Sequence, residues 1–168
     1  MWIFNFLNRS NVPAQPALAD RILEALALLL LVCIWGMTVY FWNVLPEEIP
    51  VHFDLDGTAN GYGVKSALFL IAGMGTFAML IVAIGAYNPK MINIPVKANS
   101  PRQYFLMFRM VRVVNVIIAL LFICIILNMA SPGLEIHSKL LACSDLFLGA
   151  LIIGVIIYYC YLIYRAGD

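Results

Sequence analysis

The sequence predicts an all-α integral membrane protein: four transmembrane helices, with a structured, partly extended outer loop between helices 1 and 2. Composition is the first reason. The chain of 168 residues is 64% hydrophobic and 11% charged, whereas a soluble domain carries about 25% charged residues to keep its surface in water. Patterning is the second, because cutting the chain at its charges leaves four long uncharged blocks, 25–44, 67–87, 113–129 and 146–164. Each falls within the roughly 17 to 25 residues that a helix needs to cross the hydrocarbon core, and a helix satisfies its own backbone hydrogen bonds there. The third reason is the loop 45–65, LPEEIPVHFDLDGTANGYGVK, whose period-two alternation is that of a strand. Disorder needs high charge and little apolar bulk, and a formal charge of +1 offers no basic field for phosphates, so no nucleic-acid partner is expected. The lipid bilayer is the first partner.

Residues 1–19 read as an interfacial N-terminal segment. Trp2, Phe4 and Phe6 suit the headgroup level, and the absence of a positive n-region, with Pro13 and Pro16 ahead of the first apolar block, argues against a cleaved signal. Residues 20–87 form a helix-loop-helix unit. Residues 88–112 form a basic loop and the start of helix 3, where Ser100, Pro101 and Gln103 supply an N-cap, a proline at the first helical position and a capping-box partner. From Pro101 to Met129 that helix would run about 44 Å at 1.5 Å per residue, longer than a hydrocarbon core of about 30 Å, so its first turns project into the interface. Residues 113–168 complete helices 3 and 4, joined by a loop at 130–145. Cys33, Cys124, Cys143 and Cys160 make no disulfide framework. Gly73, Gly75, Ala150 and Gly154 are candidate close contacts between helices, and Asn115 and Asn128 could pair helices.

Orientation follows from the basic residues. Arg9, Arg21, Lys90, Lys97, Arg102, Arg109, Arg112 and Arg165 lie on the side of the termini, and only Lys65 and Lys139 on the other. The positive-inside rule then places both termini in the cytoplasm and the loops 45–66 and 130–145 outside. Arg102, Arg109 and Arg112 form a cytoplasmic basic stripe, suited to lipid phosphates or to an acidic cytoplasmic partner.

The outer loop holds the candidate site. Pro46 and Pro50 favour extended conformations before them. From Val51 the pattern sets Val51, Phe53 and Leu55 on an apolar side and His52, Asp54 and Asp56 on a polar one, while Gly57, Asn60, Gly61 and Gly63 supply turns back to the second span. The polar row could be a structural cap, a recognition surface for a peptide or lipid, or a metal site. For the last, His52, His137, Glu135 and Asp54 offer ligands that zinc accepts, although their spacing matches no established motif; calcium fits less well.

The segment also resembles a bacterial membrane domain of unknown function whose signature is Leu-Pro, Ile/Val-Pro, His-Phe and a glycine turn ending in Lys. Leu45, Pro46, Ile49, Pro50, His52, Phe53, Gly57, Gly63 and Lys65 match it, and the resemblance spans roughly residues 20–87. That domain is the N-terminal part of SdpI-like toxin-immunity membrane proteins. The resemblance implies an immunity or envelope-sensing protein of the bacterial inner membrane, with an extracellular peptide toxin and a cytoplasmic regulator as partners. The Gly-Ile-Arg-Thr-Pro-Trp-like stretch of that module is absent here. Two other readings stand beside it: a metal-dependent membrane enzyme using His52 and His137, and an accessory subunit or small transporter that works as an oligomer. No motif argues for catalysis.

Overall fold

The computed structural model describes residues 16–54, 57–96, 98–134 and 138–167, and among these the side chains of all but 132–134 and 138–142. Helix α1 covers Leu18–Val44. It starts ahead of the uncharged block because Asp20 caps it, accepting from the Ala17 N–H at 2.8 Å, which satisfies one of the orphan donors of a helix start. It ends where Leu45, held extended at φ −84 and ψ 153, precedes Pro46. The interfacial segment expected around Trp2, Phe4 and Phe6 lies outside the described residues.

The loop is an antiparallel hairpin of β1, Glu48–Phe53, and β2, Ala59–Val64. The Lys65 N–H donates to the Glu47 carbonyl at 2.9 Å at its base. At its tip the N–H of Asp54 donates to the Thr58 carbonyl, and that of Gly57 to the Asp54 carbonyl, both at 2.9 Å. Gly57 takes φ 82, which disfavours a side chain. Two expectations are corrected here. Strict alternation fails: Ile49 is 1% exposed and Pro50 is buried, whereas Val51 is 40% exposed and Phe53 is half-buried. Pro50 has no N–H for the ladder, and the register slips between Pro50 and His52 and again before Phe53, so a bulge resets which side chains face the bundle. Asn60, Gly61 and Gly63 are strand residues of β2 rather than turn residues. Leu55 and Asp56 lie outside the described residues.

Helix α2 covers Ala67–Gly85, α3 Pro101–Leu134 and α4 Ser138–Arg165, with a short 3-10 turn at Pro89–Met91. All four helices are long and apolar enough to cross a membrane. The capping box forms as expected: Gln103 Oε1 accepts from the Asn99 and Ser100 N–H groups at 2.8 and 3.0 Å, and Ser100 Oγ accepts from the Gln103 N–H at 3.3 Å. Gln103 Nε2 also reaches the Ile163 carbonyl at 3.0 Å, tying the start of α3 to the end of α4. With 34 residues, α3 runs about 51 Å at 1.5 Å per residue. It therefore takes up part of the expected loop 130–145, and α4, from Ser138, takes up a further part. Charge marks where a helix leaves hydrocarbon, not where it stops.

Helix α3 is the hub against which α1, α2 and α4 pack. Ile34 and Phe41 of α1, Leu68, Ala72 and Met79 of α2, Val116, Ala119, Ile126 and Met129 of α3, and Ile49 of the hairpin form one core. Ile49 thus anchors the hairpin into the end of the bundle. Of the candidate contact glycines and alanine, Gly75 serves: a Cβ there would stand 2.8 Å from the Phe122 ring. Gly73 and Gly154 face open space, and Ala150 is exposed. Between α1 and α2, Trp35 Nε1 donates to Thr76 Oγ1 at 3.0 Å.

Candidate functional site

The hairpin ladder sets His52 opposite Gly61, where a Cβ would stand 2.9 Å from that of His52. A glycine is therefore needed to let the imidazole lie across β2. His52 Nδ1 hydrogen-bonds Asn60 Oδ1, and since the amide oxygen accepts, the ring must carry its proton on Nδ1. Asn60 Nδ2 donates onward to Asp54 Oδ1 at 2.6 Å. The expected polar row is thus present for His52 and Asp54, with Asn60 joining them. His137, Glu135 and Asp56 lie outside the described residues, so the proposed four-ligand metal set is represented by His52 and Asp54. Asn60 stands between these two, and no group of three or more His, Cys, Asp or Glu converges among the described residues.

The other matched loop residues hold the frame. Pro46 is exposed and ends α1. Lys65 Nζ pairs with Glu47 at 2.9 Å and lies 5.0 Å from the centre of the Trp42 ring, joining the hairpin base to α1.

Beneath the hairpin is a cavity of about 400 Å³ lined by Val51, His52 and Phe53 of β1, by α2 and α3, and by Asp145 of α4. Such a volume lies within the range of roughly 300–1,000 Å³ that small-ligand sites occupy. Asn128 Nδ2 donates to Asp145 Oδ2 at 2.5 Å across α3 and α4. Asn128 is 3% exposed, and both Asn128 Oδ1 and Asp145 Oδ1 are buried without a hydrogen-bond partner. A carboxylate has acceptor capacity for several donors, and leaving buried acceptors unmet is costly. Asn128 and Asp145 were not evident as site residues from the sequence, and Asn60 only as a calcium-type oxygen beside Asp54 and Asp56. Asn60 read as turn chemistry and Asn128 as a helix-pairing residue; the one signal for Asp145 is its place immediately before the uncharged block 146–164.

At the other end of the bundle the basic stripe turns inward. Arg109 is bidentate on Asp20, with Nε and Nη2 at 2.8 and 3.3 Å from its oxygens, and Arg112 Nε donates to Glu24 at 2.7 Å. Asp20 is 1% and Arg112 5% exposed. Tyr87 donates its hydroxyl to Glu24 at 2.5 Å beneath the Arg112 guanidinium, 5.1 Å from the ring centre. Burial first, and then Glu24, push the Tyr87 phenol above its usual range, so it remains a donor. Arg109 and Arg112 therefore join α3 to α1 rather than forming a free strip, while Arg102 stays exposed.

Residues 29–76 match the model of a domain of unknown function, DUF1648. The matched stretch runs from within α1, through the whole hairpin, into α2. No curated protein and no solved structure matches the chain. The chain is a multi-pass membrane protein whose hairpin segment is similar to that domain.

Proposed function

We propose that this is an SdpI-like immunity or envelope-sensing protein of a bacterial inner membrane. In this reading both termini are cytoplasmic, and the hairpin end meets an extracellular peptide. The cavity under the hairpin carries the reading, because it joins His52 of the hairpin segment to the hydrogen-bonded Asn128–Asp145 pair between α3 and α4. The resemblance of the loop to the N-terminal part of immunity proteins supports the same end of the molecule. The distribution of arginines and lysines supports the orientation. A cytoplasmic regulator would meet the opposite end, where Arg102 remains exposed.

Deletion should sensitise cells to a peptide toxin made by their kin, and His52→Ala should remove protection at unchanged membrane abundance. Equal survival of deleted and wild-type cells across a panel of such toxins would overturn the proposal. A cysteine placed at Tyr62 in a chain lacking its native cysteines should react with a membrane-impermeant maleimide in intact cells; labelling only after lysis would reverse the orientation.

A further inference from the structure

The two edges of the hairpin are unlike. Backbone bonding in an antiparallel pair alternates, so one bonded pair of residues fixes its neighbours. The Lys65 N–H donates to the Glu47 carbonyl, and two residues along the register Gly63 and Ile49 face one another in the same way. Glu48 with Val64, and Pro50 with Tyr62, are the intervening pairs, so their N–H and C=O groups point away from the partner strand. On β1 that outward row is blunted: Glu48 is charged, Pro50 has no N–H, and the strand packs against α3. Charge, proline and a covering element are the means by which a sheet edge is kept from adding strands. Among the described residues β2 has none of them. Its sequence, ANGYGV, holds neither charge nor proline, it is the second strand of a two-stranded sheet, and the outward groups of Tyr62 and Val64 have no backbone partner among the described residues. Tyr62 is 60% and Val64 68% exposed.

We propose that the outer edge of β2 binds a peptide by strand addition. An extended, basic segment pairs its backbone with Tyr62 and Val64 and lays apolar side chains beside theirs. This rests on the reading that the hairpin end meets an extracellular peptide, and it names the surface and the chemistry. Charge selects the occupant. The loop 45–66 carries Glu47, Glu48, Asp54 and Asp56 against Lys65 alone, and Lys65 is already paired with Glu47. A basic strand meets that field favourably, whereas the same edge of a second copy would bring two acidic loops together.

The test uses the full chain in phosphatidylcholine nanodiscs, with empty discs to subtract partition into lipid. The probes are acetyl-Lys-Val-Tyr-Val-Lys-Val-amide, its counterpart with Glu for Lys, and the basic peptide N-methylated at its central Tyr and Val, adjacent residues whose N–H groups serve opposite edges. In the free chain the amides of Ile49 and Gly63 should exchange slowly and those of Tyr62 and Val64 fast. At about 90% occupancy by the basic peptide, exchange at Tyr62 and Val64 should slow about 10-fold. The Glu and N-methylated peptides should each bind about 10-fold more weakly or worse. Val64→Pro removes an outward N–H and no ladder bond, so it should weaken binding equally while Ile49 and Gly63 still exchange slowly. The N-methylated peptide serves if that variant does not fold. Absent binding of the basic peptide would overturn the proposal, as would equal affinity for the Glu or N-methylated peptide, unchanged binding by folded Val64→Pro, or binding that leaves exchange at Tyr62 and Val64 unaltered. Slow exchange at both residues without peptide, in discs holding two chains and not in discs holding one, would overturn it in favour of a second copy. Wild-type survival of Val64→Pro cells under a toxin that kills the deleted strain would overturn this inference alone, whereas strand addition at β2 by a chain that gives no immunity would overturn the immunity reading alone.

Discussion

The two ends of the bundle hold similar polar groups in opposite conditions. At the terminal end, carboxylates of α1 meet guanidinium groups of α3, and each charge near the core has a partner: Asp20 with Arg109 and Glu24 with Arg112. Asn115, whose Oδ1 is without a hydrogen-bond partner, is among the residues lining a void of about 40 Å³ there, which is room for a water or two. At the hairpin end the Asn128–Asp145 pair borders about 400 Å³, with no Lys or Arg among the described residues that line it. Similar groups are thus closed by ion pairs at one end and stand beside a much larger space at the other. The difference teaches that buried charge alone does not mark function; its partners and the adjacent volume do.

The strongest way to break the comparison is at the lock. Arg109→Ala leaves Asp20 buried and unpaired, and losing one partner of a buried pair costs about 3 kcal/mol or more. Unfolding free energy in detergent, measured by denaturant titration, should fall by about that amount. Replacing both partners with apolar residues, Asp20→Leu with Arg109→Met, should restore part of the loss: no uncompensated charge then remains, but the cap that Asp20 gives the Ala17 N–H goes with it, at about 1 kcal/mol. If Arg109→Ala is neutral, the terminal end is not a lock.

A second substitution tests the hub. Gly75→Leu drives a side chain into the Phe122 ring, already 2.8 Å from an added Cβ. Overpacking of this kind costs about 1–3 kcal/mol. Phe122→Ala in the same chain should recover part of that loss, and additive losses would mean that the two helices do not meet there.

How much of this was legible beforehand differs between the ends for physical reasons. The four spans were legible because the bilayer imposes length and polarity on each helix separately, and the start of α3 because Ser100, Pro101 and Gln103 cap it locally. The hairpin was legible only in outline. Alternation presumes an unbroken ladder, and Pro50 breaks it, so Ile49 rather than Val51 enters the core. Pairings such as Asp20 with Arg109 or Asn128 with Asp145 join different helices, and linear order carries no trace of which helix becomes the hub. The arginine stripe had the right spacing for one face, but spacing could not tell a lipid-facing stripe from one turned toward α1.

A smaller effect is expected at the hairpin tip. Gly57→Ala must hold a side chain at φ 82, which costs about 1 kcal/mol. The consequence should be local: faster amide exchange at Asp54, whose N–H closes the turn on Thr58, with the exchange of α2 amides unchanged. Matching acceleration in α2 would mean that the hairpin and the bundle open together.

The smallest expected stability change is the most telling. Asp145→Asn at the hairpin end removes a carboxylate that has Asn128 as its hydrogen-bond donor and no ion-pair partner among the described residues. An amide oxygen can still accept from Asn128, and the penalty of holding a charge away from water disappears. Unfolding free energy should therefore stay within about 1 kcal/mol of the unaltered chain, with a slight gain as the favoured sign. Compared in the same detergent with Arg109→Ala, the two results give the contrast directly. A charge paired for folding is missed when its partner goes, whereas a carboxylate without an ion pair is not. A loss at Asp145 as large as the loss at Arg109 would make both ends locks.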